Sequence, residues 1–73
     1  MGLTVTINGN AREFAGLEAG ASLTAVVAEL KLKADRVAVE RNGEIAPRET
    51  WNAVRVQAGD RLEVVHFVGG GTG

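Results

Sequence analysis

The chain has no cysteine, a single proline, a single histidine and no long apolar run, and its charges nearly cancel. Each absence closes a class of function. Without cysteine there is no disulfide framework, no thiol nucleophile and no thiolate metal site. No stretch approaches the roughly 18 apolar residues of a membrane-spanning helix, and no secretory signal is expected. With 8 basic against 9 acidic residues, the chain lacks the basic footprint that nucleic-acid binding requires. We therefore expect a cytoplasmic protein with no nucleic-acid and no membrane partner. What is present suits one small domain: 73 residues, 45% of them apolar, enough for a modest core and against disorder. The opening Met1-Gly2-Leu3-Thr4-Val5-Thr6 matches a short myristoylation pattern. The same residues alternate as a first strand should, and we read them so.

The most informative stretch is the last, Val65-His66-Phe67-Val68-Gly69-Gly70-Gly71-Thr72-Gly73, where a hydrophobic strand runs out into glycines. Glycine offers no side chain to pack and loses the most freedom on ordering. A domain over residues 1–68 and a flexible tail over 69–73 are expected. The tail has two ordinary readings, a frayed terminus or a cloning scar. It also has a sharper one: residues without Cβ can thread a narrow channel and deliver a carboxylate to a reacting group. A phosphate-cradling loop is rejected, because no residues follow to build the helix whose amides would face the phosphate.

Taken in order, Leu3, Val5 and Ile7 alternate with Thr4, Thr6 and Asn8, the period of a strand with one buried face. Asn8-Gly9-Asn10 supplies a tight hairpin turn, and Ala11 to Phe14 returns with Phe14 turned inward. A loop follows to Ala21. Ser22 is placed to cap a helix, and Leu23, Val26, Val27 and Leu30 share one of its faces. That helix should end near Leu32 or Lys33. Val37 and Val39 mark the next strand, Asn42-Gly43 a second hairpin, and Glu44 to Ala46 a short return closed by Pro47, which donates no ladder hydrogen bond. Arg48 to Asn52 reads as one helical turn with Trp51 as a plug. Val54 and Val56 suggest a short strand, Ala58-Gly59-Asp60 a turn, and Arg61 to Phe67 the last strand.

The last strand is apolar on both faces, which suits a central position. One helix covers only one side of a sheet. The outer residues Val65 and Phe67 are then either exposed as a protein interface or covered by the Trp51 segment. A hairpin, a helix across one face and further strands form an α+β roll, with the first and last strands parallel in the middle. This is the β-grasp, or ubiquitin-like, arrangement: a mixed sheet of four to five strands and one main helix.

No enzyme constellation is visible. His66 has no cysteine or second histidine to work with, and Ser22 is explained as a cap. Asp35, Glu40, Glu44, Glu49, Asp60 and Glu63 are scattered, with no metal site implied. Arg41, Arg48 and Arg61 read as a solvated face rather than a basic site. We expect no catalytic residue and no bound cofactor.

Beyond the bare pattern, Val39-Glu40-Arg41-Asn42-Gly43-Glu44-Ile45, Pro47-Arg48-Glu49-Thr50-Trp51, Gly59-Asp60 and Leu62-Glu63-Val64-Val65-His66-Phe67-Val68-Gly69-Gly70-Gly71 resemble the ThiS family of sulfur carrier proteins in thiamine thiazole biosynthesis. The resemblance implies a protein co-substrate, not an enzyme. An E1-like adenylyltransferase of the ThiF type would use ATP to activate the glycine carboxylate. A persulfide originating from a cysteine desulfurase would replace AMP, and a thiazole synthase of the ThiG type would take sulfur from the resulting thiocarboxylate. The matching positions are Gly70 and Gly71 for activation, with Val65, Phe67, Val68 and Gly69 for partner binding. Four residues beyond Phe67 can extend about 13–14 Å into a partner. The family ends its working tail in Gly-Gly, whereas this chain continues with Thr72-Gly73, so Gly71 would need those two residues removed. A carrier for molybdopterin synthesis and a β-grasp interaction module with an inert tail are the alternatives.

Overall fold

The computed structural model describes residues 2–67. The boundary expected between residues 68 and 69, and the tail beyond it, lie outside them. Strand β1 (Leu3–Ile7) turns through Asn8 and Gly9, at φ 50° and 86°, into the antiparallel β2 (Asn10–Phe14). Both turn residues take the left-handed conformation that an Asn-Gly hairpin turn requires. Alternation along β1 buries Leu3, Val5 and Ile7 and turns Thr4 and Thr6 the other way.

Helix α1 (Leu23–Glu29) starts where Ser22 Oγ accepts the Ala25 amide at 3.1 Å, as the cap pattern predicts. Leu23, Val26 and Val27 are buried against the sheet, and Leu30 packs at the core's edge. The helix ends earlier than its apolar period suggests. Lys31 adopts φ 61°, its amide donates to Ala28 O at 3.0 Å, and the Leu32 amide donates to Val27 O at 3.4 Å. These two bonds make a Schellman closure, with Leu32 folded back onto the core. Glycine is the usual residue at such a closure, so a lysine there gave no warning.

A two-residue strand that sequence reasoning missed, β3 (Ala21–Ser22), pairs antiparallel with β6 (Arg55–Val56) and fastens the helix start to the segment before the last strand. Strand β4 (Val37–Arg41) turns at Asn42-Gly43 into β5 (Glu44–Ala46). A single 3-10 turn at Arg48–Thr50 then carries Trp51 inward. Trp51 is buried, and its indole N–H donates to Ala46 O at 2.8 Å, so the plug fills space without stranding a donor.

Strand β7 (Arg61–His66) lies in the centre of a five-stranded sheet ordered β2-β1-β7-β4-β5. It runs parallel to β1 and antiparallel to β4. This is the expected β-grasp arrangement, with the small β3-β6 pair added. Two asparagine side chains finish what the ladders leave open. Asn8 donates to Val64 O at 3.1 Å and accepts from Val64 N at 2.7 Å, in place of a further residue of β1. Asn42 Oδ1 accepts the Arg61 amide at 2.9 Å.

Asp60, at the entry to β7, is the one buried charged residue among those described. It accepts from Arg41 Nε at 2.9 Å, from Asn42 Nδ2 at 3.2 Å and from the Gln57 amide at 2.8 Å. Arg41 also donates to Arg55 O at 3.2 Å, so one carboxylate ties β4, the second hairpin and β6 to the start of β7. Burial alone would push this carboxyl up. The Gln57, Arg41 and Asn42 hydrogen bonds and the Arg41 charge outweigh it and hold the group below its ordinary range. Arg41, Arg48 and Arg61 do not form one basic region: Arg41 is spent on Asp60, and Arg48 donates to Ala34 O and lies over the Trp51 ring.

Two outcomes are expected. Leu62→Ala, which empties a fully buried position in the central strand, should lower stability by about 2–5 kcal/mol, read as a lower urea midpoint at unchanged slope. Because its folded pKa is depressed, Asp60 contributes stability above the unfolded carboxyl value of about 3.9. That contribution is lost as pH falls through the lower folded value. Thermal unfolding followed into acid should show this loss below about pH 4. Asp60→Asn should remove that part of the acid response and cost about 1–3 kcal/mol at neutral pH.

Candidate functional site

The candidate site is the outer, helix-free face of the sheet together with the end of β7. Its composition follows from register. Val37 and Val39 of β4 and Leu62 of β7 point to the helix. Ala38 and Glu40 therefore point outward, with Arg61, Glu63 and Val65 beside them. Across the β4–β5 ladder, Ile45 stands opposite Glu40. The last described link is the Phe67 amide, which donates to Arg36 O at 2.9 Å.

This face leaves large apolar side chains in water. Ile45 is 65% exposed, Val65 57% and Phe67 51%. The Trp51 segment does not cover them, because Trp51 packs into the core on the helix side. Of the two readings of the last strand's outer residues, exposure is the one realised. Exposed aliphatic and aromatic side chains grouped on one face are the usual mark of a protein-contact surface. Beside Val65 lies a shallow depression of about 450 Å³ bounded by Glu40, Gly43, Arg61, Glu63 and Val65.

Of the residues expected to contact partners, Val65 and Phe67 sit on this face, at the end of the strand that leads toward the glycines. Val68, Gly69, Gly70 and Gly71, with Thr72 and Gly73, lie outside the described residues. Ile45 belongs to the patch and was not singled out from the sequence. The signal was present in the Asn42-Gly43 hairpin, which sets Ile45 directly opposite Glu40.

Among the described residues, nothing is arranged for catalysis. His66 is exposed, with no nucleophile or carboxylate hydrogen-bonded to its ring, and no three His, Asp or Glu side chains are grouped to hold a metal ion. Among the described residues no helix is long and apolar enough to cross a membrane. What the described part of this face presents is apolar contact area.

Comparison with known proteins gives a consistent picture. The ThiS family model matches residues 5–71. A crystal structure of the thiamine biosynthesis protein ThiS from Geobacter metallireducens superposes with a TM-score of 0.80 at 36% identity, covering 93% of this chain and 99% of that one. The sulfur carrier protein ThiS of Bacillus subtilis is 44% identical over 46 residues, which is 63% of this chain and 70% of that protein. A thiazole synthase of Paramagnetospirillum magneticum is 41% identical over 70 residues. That match takes in 96% of this chain but only 21% of the synthase, so the chain spans about a fifth of that relative's length. From the length of the family match and the shared fold, the chain belongs to the ThiS family.

Proposed function

We propose that the chain is a sulfur carrier of thiamine biosynthesis, a co-substrate rather than an enzyme, whose working group is the carboxylate of Gly71. The observation that carries the reading is that the family match runs through residue 71. It thus takes in a central strand, an exposed apolar face and the glycines that follow. The relative named thiazole synthase favours thiazole formation over molybdopterin synthesis as the destination of the sulfur.

The chemistry suits the residues. A carboxylate is a poor electrophile. ATP-dependent adenylation by an E1-like adenylyltransferase makes a mixed anhydride at Gly71, with pyrophosphate leaving. The terminal sulfur of a persulfide, supplied through a cysteine desulfurase, then attacks the acyl carbon and expels AMP. A second thiolate attacks the resulting sulfur–sulfur bond, forms a disulfide with the cysteine that carried the persulfide, and releases the thiocarboxylate. That thiocarboxylate is a soft nucleophile that a thiazole synthase can direct at a carbonyl or imine carbon. Gly70 and Gly71 keep bulk away from each step, because neither carries a Cβ. The ATP belongs to the adenylyltransferase, and the reading puts the work in the cytoplasm, where ATP is available. Val65 and Phe67, continued by Val68 and Gly69, form the partner contact. The reading requires removal of Thr72 and Gly73, since only then does Gly71 present a carboxylate.

The test is the intact mass of the chain ending at Gly71, before and after incubation with ATP, the adenylyltransferase and a sulfur donor. Exchange of one oxygen for sulfur is expected. Gly71→Val should leave the urea unfolding curve unchanged and reduce thiocarboxylate formation at least about 100-fold, the scale on which small misplacements at a reacting centre act. Sulfur uptake that persists in Gly71→Val would overturn the assignment of the reacting group.

A further inference from the structure

The outer face carries a feature that neither folding nor carrier chemistry explains. Glu40 and Glu63 stand directly opposite each other on β4 and β7. The Asn42 amide to Arg61 O and the Phe67 amide to Arg36 O set the ladder's phase and make this a hydrogen-bonded pair. The two Cβ atoms are then about 5.5 Å apart. Like charges so placed destabilise a sheet. The neighbouring cations do not answer them. Arg41 is spent on Asp60, and Arg61, two residues before Glu63 on the same face, makes no ion pair with either glutamate.

The flanks of the pair are apolar. Ile45 lies beside Glu40 across the β4–β5 ladder, and Val65 follows Glu63 along its strand, with Phe67 beyond. We infer that this face docks a protein partner through a cationic side chain, arginine or lysine, seated between Glu40 and Glu63 and rimmed by apolar side chains against Ile45, Val65 and Phe67. The inference rests on the carrier reading and names the partner's chemistry at that same face. Charge selects among the possible occupants. A second copy docked face to face would bring four glutamates together against two Arg61 side chains, a net excess of like charge, and nucleic acid or an anionic bilayer would be repelled. A protein surface with a cation at the centre of an apolar ring is complementary in both respects. Retaining two repelling carboxylates at some cost to stability is the pattern expected of residues kept for binding.

The experiment pairs stability with affinity, using the full chain and thiazole synthase from the same organism. Glu40→Gln and Glu63→Gln keep shape and remove charge. Each should raise the melting temperature by about 1–3 °C, as relief of a cross-strand repulsion would. Each should also weaken binding to the synthase about tenfold at low salt, with a shallower salt dependence than the parent chain shows. Glu29→Gln, on the helix side, should change neither. If the parent chain binds and both glutamine variants bind equally well, the cationic contact is wrong and the carrier reading stands. If the parent chain does not bind the synthase at all, the partner reading fails and takes this inference with it.

Discussion

The first and last strands lie side by side and parallel, and the remaining elements are arranged around that pairing. The ladder itself is short, with Thr6 beside Arg61 and Ile7 beside Leu62. It is lengthened at both ends. The Gly59 amide donates to Thr4 O, the Thr6 amide to Asp60 O and the Asn8 amide to Leu62 O, each at 2.9 Å, and the Asn8 side chain then takes Val64. Bringing such distant residues together costs loop-closure entropy before any contact offsets it. The intervening chain supplies that offset by burying Leu23, Val26, Val27 and Trp51 against Leu3, Val5, Val39 and Leu62.

Asp60 sits at the joint of this closure. A carboxylate in that position cannot stay charged without donors, and three residues from three segments provide them. The turn that feeds β7 is thereby locked to β4, and the point at which β7 enters the sheet is set. Placing β7 in the centre also divides the labour between the sheet's two faces. The inner face is used up by the helix. The outer face keeps Ile45, Val65 and Phe67 free beside the end of the strand.

Much of this was legible in the residues. Strict alternation in Leu3, Val5 and Ile7, two Asn-Gly pairs, the Ser22 cap and the two-faced apolar last strand each carry a local physical cause, and together they suffice for the α+β roll. What escaped notice depends on partners remote in sequence. Asp60 looks like one scattered acid among several until Arg41 and Gln57 are beside it. Asn8 and Asn42 announce turns through their backbone preference, but not the strands that their carboxamides complete. Lys31 hides a helix end because a lysine at positive φ leaves no mark in a hydrophobic period. For the site, Val65 and Phe67 could be read as outward-facing. Ile45 needed the β4–β5 register, and the opposition of Glu40 and Glu63 needed the β4–β7 register.

The parallel pairing of β1 with β7 has a mechanical consequence. Tension applied to the two ends of the chain draws β1 toward its start and β7 toward its finish, in opposite directions along their common axis. Their hydrogen bonds are then strained in shear, all at once, rather than peeled open one after another as in a hairpin pulled at its open end. A domain wired this way is stiff along the line that joins its termini. Force carried between the start of β1 and the end of β7 therefore loads the sheet in its strongest direction, and the strands between them move as one rigid piece.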